Sequence, residues 1–320
     1  MAGGRSSGTT SRDGTRSTEG GHRTDVLLAD HAAKVDVDLS RLLSTFAGLA
    51  TRIRRELPVR RDPAATRNVY GERQLELDIW MNDLFVEAMR DTKLVSHVAS
   101  EEMGEVKDVG RGRFSIVLDP LDGSSNVRSN NIFGTIFGVF EGTRLPARGA
   151  DLLAAGYMIY GPATTLVYAA RGAVHEFVQG GGGRTEEFFL MHEGLRLPAK
   201  GKLYGVGGHR DQWIPEVKGF VAELERDLMN LRYGGSFVGD FNQILHYGGF
   251  FAYPAQVDKP AGKYRLQFES NPIAFIAEAA GGAGTTGTER ILDVAPAGID
   301  QTVPTYVGNR DLVDRFRKRL

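Results

Sequence analysis

The chain contains no cysteine. That excludes disulfide stapling, thiol nucleophiles and thiol redox control, and leaves the reducing cytoplasm as the expected compartment. Net charge is also scarce: 39 lysines and arginines face 40 acids, for a net of −1. Nucleic acid and membrane surfaces are gripped by fields of one sign, so neither is an expected partner. No apolar run approaches the length that spans a bilayer. The 41 glycines show no three-residue period, so they read as tight turns and close backbone approaches rather than collagen. No internal repeat is visible. The seven histidines show no metal-ligand spacing and read as incidental.

What is present is a chain of 320 residues, 41% hydrophobic, long enough to bury a substantial core in two coupled halves. Residues 1–24 hold little but Gly, Ser, Thr and Arg and cannot offset their ordering entropy by burial, so a disordered tail is expected. Asp13, Glu19 and the missing apolar face weigh against a transit peptide. Leu39, Leu43, Phe46, Leu49, Ile53 and Leu57 predict a helix over 36–57, stopped by Pro58. Leu75, Ile79, Val86 and Met89 predict a second over 73–91, with Glu72 and Asp78 at its N-terminal end. Short β-rich runs follow at 113–118, 134–140, 152–159, 164–169, 173–179 and 186–192, separated by Gly and Pro. They predict a large, mostly antiparallel sheet with helices packed on it.

Near residue 199 the pattern changes to strand and helix in alternation. Strands are expected at 202–206, 250–255, 265–268 and 291–294, and helices at 213–230 and 309–320. A further helix is punctuated by Asn271 as N-cap, Pro272 at its first position and Gly281-Gly282 past its end. The organisation read from this is a tail (1–24), a first domain (25–198) and a second domain (199–320).

The segment Ser115-Ile-Val-Leu-Asp119-Pro-Leu-Asp122-Gly-Ser-Ser125-Asn carries the chemistry. An apolar strand delivers two aspartates three residues apart, with Pro120 stiffening the turn. Magnesium asks for hard oxygen ligands in near-octahedral order, and two carboxylates with the Leu121 carbonyl between them suit it. Gly123 lets the backbone approach a ligand, and Ser124 and Ser125 offer hydroxyl and N–H donors for a phosphate. An Asp-Gly turn with a capping serine occurs in many proteins. The functional reading gains from agreement: Glu101-Glu102 follows the apolar run 94–99, and Glu269 follows 265–268. Acids at three strand ends are the layout of metal-assisted phosphoryl transfer.

From about residue 36 the sequence resembles class I fructose-1,6-bisphosphatases. The matching stretches are Asn68-Val-Tyr-Gly-Glu-Arg73, Ser100-Glu-Glu102, Val117-Leu-Asp-Pro-Leu-Asp-Gly-Ser-Ser-Asn126, Gly134-Thr-Ile-Phe-Gly138, Ala154-Ala-Gly-Tyr157, Leu231-Arg-Tyr233, Tyr247-Gly-Gly-Phe-Phe-Ala-Tyr-Pro254 and Lys263-Tyr-Arg-Leu-Gln-Phe-Glu-Ser-Asn-Pro272. The first half alone fits the wider superfamily that includes inositol monophosphatases. The resemblance implies a layered αβαβα fold, with a mostly antiparallel sheet in the first domain and a mixed sheet flanked by helices in the second. It implies Mg²⁺-dependent hydrolysis of fructose 1,6-bisphosphate to fructose 6-phosphate, with two or more ions per site and Mn²⁺ as a substitute. Glu101, Asp119, Leu121, Asp122 and Glu269 are the implied metal ligands. Glu102, Asp78 and Glu72 are the implied catalytic acids, although the family usually has Asp where Glu72 stands. Asp122, Gly123, Ser124 and Ser125 would hold the 1-phosphate; Tyr233, Tyr253 and Lys263 would hold the sugar and 6-phosphate. Arg232 would be lent to a neighbouring subunit of a homotetramer. A distal dianionic phosphate wants such Arg, Lys and Tyr donors, and its binding energy can orient the scissile end.

Two departures stand out. Gly207 and Arg210 occupy places where eukaryotic members carry Asn and Tyr for the 6-phosphate, and Arg210 is a candidate replacement donor or a surface arginine in a turn. Asp36, Asp38, Arg113, Phe114 and Glu141 fall where AMP-inhibited relatives grip the nucleotide, and acids there make AMP inhibition weak or absent. The rival readings are a sedoheptulose-1,7-bisphosphatase or dual-specificity enzyme, an inositol monophosphatase, and an inactive phosphosugar-binding protein.

Overall fold

Nine consecutive residues, Phe114–Asp122, form a strand buried along its whole length. A strand buried on both faces must lie between two layers, and its alternating side chains identify them. The computed structural model describes residues 25–60, 62–67, 73–142, 144–180 and 187–320; the expected 1–24 tail and Glu72 lie outside them. Phe114–Asp122 belongs to an eight-stranded sheet, in the order 187–193, 173–180, 164–170, 152–160, 134–141, 114–122, 95–100 and 107–108. Every pairing is antiparallel except Val95–Ser100 with Phe114–Asp122.

One face of this sheet, with Ile116, Leu118, Phe137, Val139, Met158 and Leu166, packs on helices Val37–Glu56 and Glu76–Thr92. Phe46 and Phe137 stack there at a 4.1 Å ring separation. Burying each contributes about 1.5–3 kcal/mol. The other face, with Val117, Ile136, Tyr157 and Val167, packs on helices Phe237–Tyr247 and Asn271–Ala279. Beyond these lies a five-stranded mixed sheet, ordered 230–231, 203–206, 249–253, 305–308 and 283–285. Its Leu203, Phe251 and Val307 face inward, while Tyr204, Phe250 and Tyr306 face helices Pro215–Arg226 and Arg310–Arg317. The result is the layered αβαβα architecture. None of the described helices is long and apolar enough to cross a membrane.

Several elements differ from the expectation. The second helix begins at Glu76 because Arg73–Leu75 pairs with Pro63–Arg67 as a short antiparallel ribbon, and Asp78 caps the helix through the Leu75 N–H. The 213–230 helix ends at Arg226, and Asn230–Leu231 turns back into the mixed sheet. The expected 291–294 strand is one 3₁₀ turn, Ile291–Asp293. Of the expected 265–268 strand only Arg265 is extended, in the short strand Tyr264–Arg265; Leu266–Ser270 is a π-helical turn leading into the next helix. Ser270 is therefore already helical and Asn271 is buried inside the helix, not its N-cap. Helix Phe237–Tyr247 was not anticipated, although Ser236 caps it and Phe237, Phe241, Ile244 and Leu245 recur at helical spacing.

Candidate active site

Two strands and one turn bring the acids together. Val95–Ser100 and Phe114–Asp122 run parallel and side by side, so Glu101, at the end of one, lies next to Asp119 near the end of the other. The Glu101 N–H still pairs with the Leu118 carbonyl at 3.0 Å. Glu269 arrives on the π-helical turn rather than at a strand end, which corrects the expectation of three strand ends. That turn folds back so that Glu269 Oε2 accepts the Arg265 N–H at 2.6 Å. One carboxylate oxygen from each of Glu101, Asp119 and Glu269 lies within 4.8 Å of the others.

The three acids line a cleft of about 240 Å³ that also receives Gln74, Asp78, Glu102, Leu121 and Asp122. Burial and the neighbouring negative charges of Glu101, Asp122 and Glu269 push the Asp119 carboxyl well above its usual range. Glu269 is raised for the same two reasons, burial first and then Glu101. Crowded carboxylates of this kind fit a hard divalent cation, which supplies the charge that relieves their repulsion and accepts oxygen ligands. The donor set therefore suits the metal the family implies.

Asp122 is handled differently. Its Oδ2 accepts from Ser236 Oγ at 2.7 Å and from the Val238 N–H at 2.8 Å, and its Oδ1 from the Phe237 N–H at 3.1 Å. Those donors open helix Phe237–Tyr247, whose positive end favours an anion. Burial raises the Asp122 pKa, with these hydrogen bonds acting against it. Gly123 follows at φ 79°, a left-handed conformation that glycine accepts without strain, and turns the chain into the short helix Ser124–Val127. Gly123, Ser124 and Ser125 all line the cleft. Glu102 does so too, with its Oε2 accepting from Gln74 Nε2 at 2.5 Å.

Tyr233, Tyr253 and Lys263 line the same cleft, with Lys263 Nζ 5.4 Å from the centre of the Tyr253 ring. Tyr264 and Arg265 join them, and Arg265 Nη2 lies 3.9 Å from Glu101 Oε1. Gln74, Ser236, Tyr264 and Arg265 were not singled out from the sequence. The last two adjoin Lys263 in a stretch already quoted, so adjacency was the available signal; Gln74 and Ser236 had none beyond their neighbours.

Two of the expected substrate residues lie elsewhere. Arg210 does not line the cleft: it sits on the turn Arg210–Gln212, 3.9 Å from Glu225, beside the Trp213 ring. The replacement-donor reading is corrected to that of a surface arginine. Gly207 explains the vacancy in residue type, since a Cβ there would come 2.9 Å from the Tyr233 hydroxyl and crowd the Tyr253 ring. The tyrosines occupy the room a larger side chain would need. Arg232 is exposed, outside this cleft, and its Nη1 donates to the Leu231 carbonyl. Glu72 lies outside the described residues.

Comparison with known proteins gives the family. Residues 29–193 match the family described as fructose-1-6-bisphosphatase, N-terminal domain, and residues 197–320 match its C-terminal domain. The chain is 42% identical over 277 residues to a Halobacterium salinarum protein named fructose-1,6-bisphosphatase class 1, covering 86% of this chain and 94% of that one. A protein of the same name from Trichlorobacter lovleyi is 42% identical over 261 residues, covering 80% and 82%. The crystal structure of Leishmania major fructose-1,6-bisphosphatase in holo form superposes with a TM-score of 0.86 at 30% identity, over 92% of this chain and 99% of that one.

Ser236→Ala removes one of the three donors that fix Asp122. Activity should fall by about 10–100-fold, the usual cost of losing a partner that orients a site acid, with the melting temperature lowered by only a few degrees through the lost helix cap. Steady-state kinetics beside a thermal melt checks this, and an unchanged kcat sinks it. Asp240 offers a pH test. It accepts from the N–H groups of Gly234 and Gly235 and so shapes the loop carrying Tyr233 and Ser236. Burial nevertheless raises its pKa from 3.8 to about 6. Between those values the unfolded chain has lost a proton that the folded chain keeps, so stability falls as pH rises through this window. Asp240→Asn should flatten that slope in urea unfolding midpoints measured across the same window.

Proposed function

The chain belongs to the class 1 fructose-1,6-bisphosphatase family, and from that premise we propose that it hydrolyses the 1-phosphate of fructose 1,6-bisphosphate in a magnesium-dependent reaction. The observation that carries the proposal is the convergence of Glu101, Asp119 and Glu269 in one cleft that is also lined by a lysine and two tyrosines. Glu101, Asp119 and Glu269 would hold the ions, with Leu121 and Asp122 assisting; Asp122 Oδ1 accepts a single N–H and keeps lone-pair capacity. When bound, Mg²⁺ or Mn²⁺ neutralises charge on the phosphoryl oxygens and makes nearby water more acidic. Glu102, oriented by Gln74, accepts the proton of the attacking water, with Asp78 lining the same cleft and Glu72 the further acid that the resemblance implies. Ser124, Ser125 and the backbone after Gly123 grip the 1-phosphate. Lys263, Tyr233 and Tyr253 take the sugar and the 6-phosphate, whose binding energy orients the ester to be cut.

Residues 25–198 would thus supply the metal and 1-phosphate machinery and residues 199–320 most of the sugar contacts. Arg232, exposed and outside its own cleft, suits donation to a neighbouring copy in a homotetramer. The reaction belongs to gluconeogenesis in the cytoplasm. Phosphate release should require Mg²⁺ and be abolished by a chelator, and Asp119→Asn should lower it by about 100-fold or more. Fructose 1,6-bisphosphate should be preferred over sedoheptulose 1,7-bisphosphate and inositol 1-phosphate at equal concentration. An equal or faster rate with the sedoheptulose ester would overturn the assignment of substrate.

We further infer that AMP inhibition of the chain is weak or absent. The Arg113 guanidinium lies 2.7 Å from Glu141, 2.8 Å from Asp36 and 3.9 Å from Asp38. Asp36 also caps helix Val37–Glu56 through the Leu39 N–H. Arg113, the cation that the resemblance places for a nucleotide phosphate, is engaged by acids that would repel that phosphate. Adding AMP at millimolar level should leave the rate unchanged, whereas half-inhibition in the micromolar range would refute the inference.

A further inference from the structure

A second group of metal-ligating side chains lies apart from the cleft and shares no residue with it. Glu176, buried on strand Ala173–Gly180, stands directly opposite His192 on strand Glu187–Glu193. The register shifts between Leu190 and His192, and this bulge changes the facing of the strand at that point. His246 comes from the last turn of helix Phe237–Tyr247, a different layer of the molecule. His192 Nδ1 lies 2.7 Å from Glu176 Oε2, and His246 Nε2 lies 3.2 Å from Glu176 Oε1. The imidazole rings meet edge to face at 5.6 Å, and one ligand atom from each of the three residues lies within 4.8 Å of the others. Their separation in sequence hid this grouping of two of the seven histidines.

We propose that Glu176, His192 and His246 form a second metal site, selective for zinc-class divalent ions, that fastens helix Phe237–Tyr247 to the edge of the large sheet. The donor set is two imidazole nitrogens and one carboxylate oxygen. That combination suits Zn²⁺, Co²⁺ and Ni²⁺, whereas the all-oxygen cluster of the cleft suits Mg²⁺. The histidine side chains are 41% and 25% exposed, so the site opens to solvent on one side, where a water can complete a tetrahedron. Its position gives the ion a mechanical role. The first residues of the same helix hold Asp122, and His246 sits near the other end, about 14 Å along the axis. An ion at Glu176 would pin the far end of the element that orients the acid beside the phosphate loop.

The test uses full-length protein stripped of metal and then saturated with Mg²⁺, so that the oxygen cluster is filled before Co²⁺ or Zn²⁺ is titrated. One Co²⁺ per chain should bind with the intense visible absorption of a nitrogen-ligated tetrahedral ion, and Zn²⁺ should displace it and raise the melting temperature. His192→Ala and His246→Ala should each weaken that binding by more than about 100-fold while Mg²⁺-dependent phosphatase activity persists. Should either alanine variant fail to fold, His192→Gln and His246→Gln, which keep a hydrogen-bond donor for Glu176, give the same readout. The proposal is overturned if the wild type shows no such band in excess Mg²⁺, or if the band survives in the variants. Either result would leave Glu176 and the two histidines as a hydrogen-bonded knot only.

Discussion

Three carboxylates are held within ligand distance of one another in a buried cleft, against their own repulsion. Left to solvent exchange they would separate, so their positions must be imposed by elements that cannot yield. Asp119 is fixed on a strand buried on both faces, and its Oδ1 is tied to the Leu121 N–H at 2.9 Å. Glu101 is held by the parallel neighbour of that strand, and Glu269 by a π-helical turn closed on its own carboxylate. Turns of this kind recur at functional sites because they place a side chain where a regular helix or strand would not. The repulsion built into these crowded acids is what a bound cation would relieve.

The same constraint explains the seam between the two sheets. Helix Phe237–Tyr247 lies in the shared core, and its N-terminal donors capture Asp122 from the large sheet. Phe237 stacks on Tyr264 at 4.4 Å, and Phe251 continues the stack. Tyr264 reaches the cleft wall, so the aromatic packing that joins the halves also sets the distance between acids and distal donors. Burial holds the Tyr264 hydroxyl protonated far above its usual range and keeps it a donor. Asp240, on the same helix, ties down the Gly234–Gly235 backbone and with it the loop that presents Tyr233. One helix therefore links the phosphate loop, the aromatic wall and, at its far end, the histidine pair.

What could be read directly was whatever depends on neighbours in sequence. The periodicity of Leu39, Leu43, Phe46 and Ile53 is a local property, and the helix it predicts ends within a residue or so of the expectation. Alternating runs across 113–192 are likewise local, and all six appear as strands of one sheet. The Asp119-Pro-Leu-Asp122-Gly motif carries its own turn chemistry, since Gly123 alone permits the left-handed step. Elements of two or three residues, such as Arg73–Leu75 and Ile291–Asp293, were misread because their conformation is set by partners distant in the chain.

By itself, then, the sequence determined the large sheet with its first helices, because apolar period is written in consecutive residues, and the family, through motifs whose resemblance carried the layered class and the candidate metal acids with it. Only the tertiary structure decided that Arg210 faces Glu225 rather than the cleft, that Ser236 grips Asp122 across 114 residues, and that His246 meets Glu176 across 70. These are contacts between layers. They follow from how two sheets and the helices between them pack in three dimensions, a quantity to which no window along the chain has access.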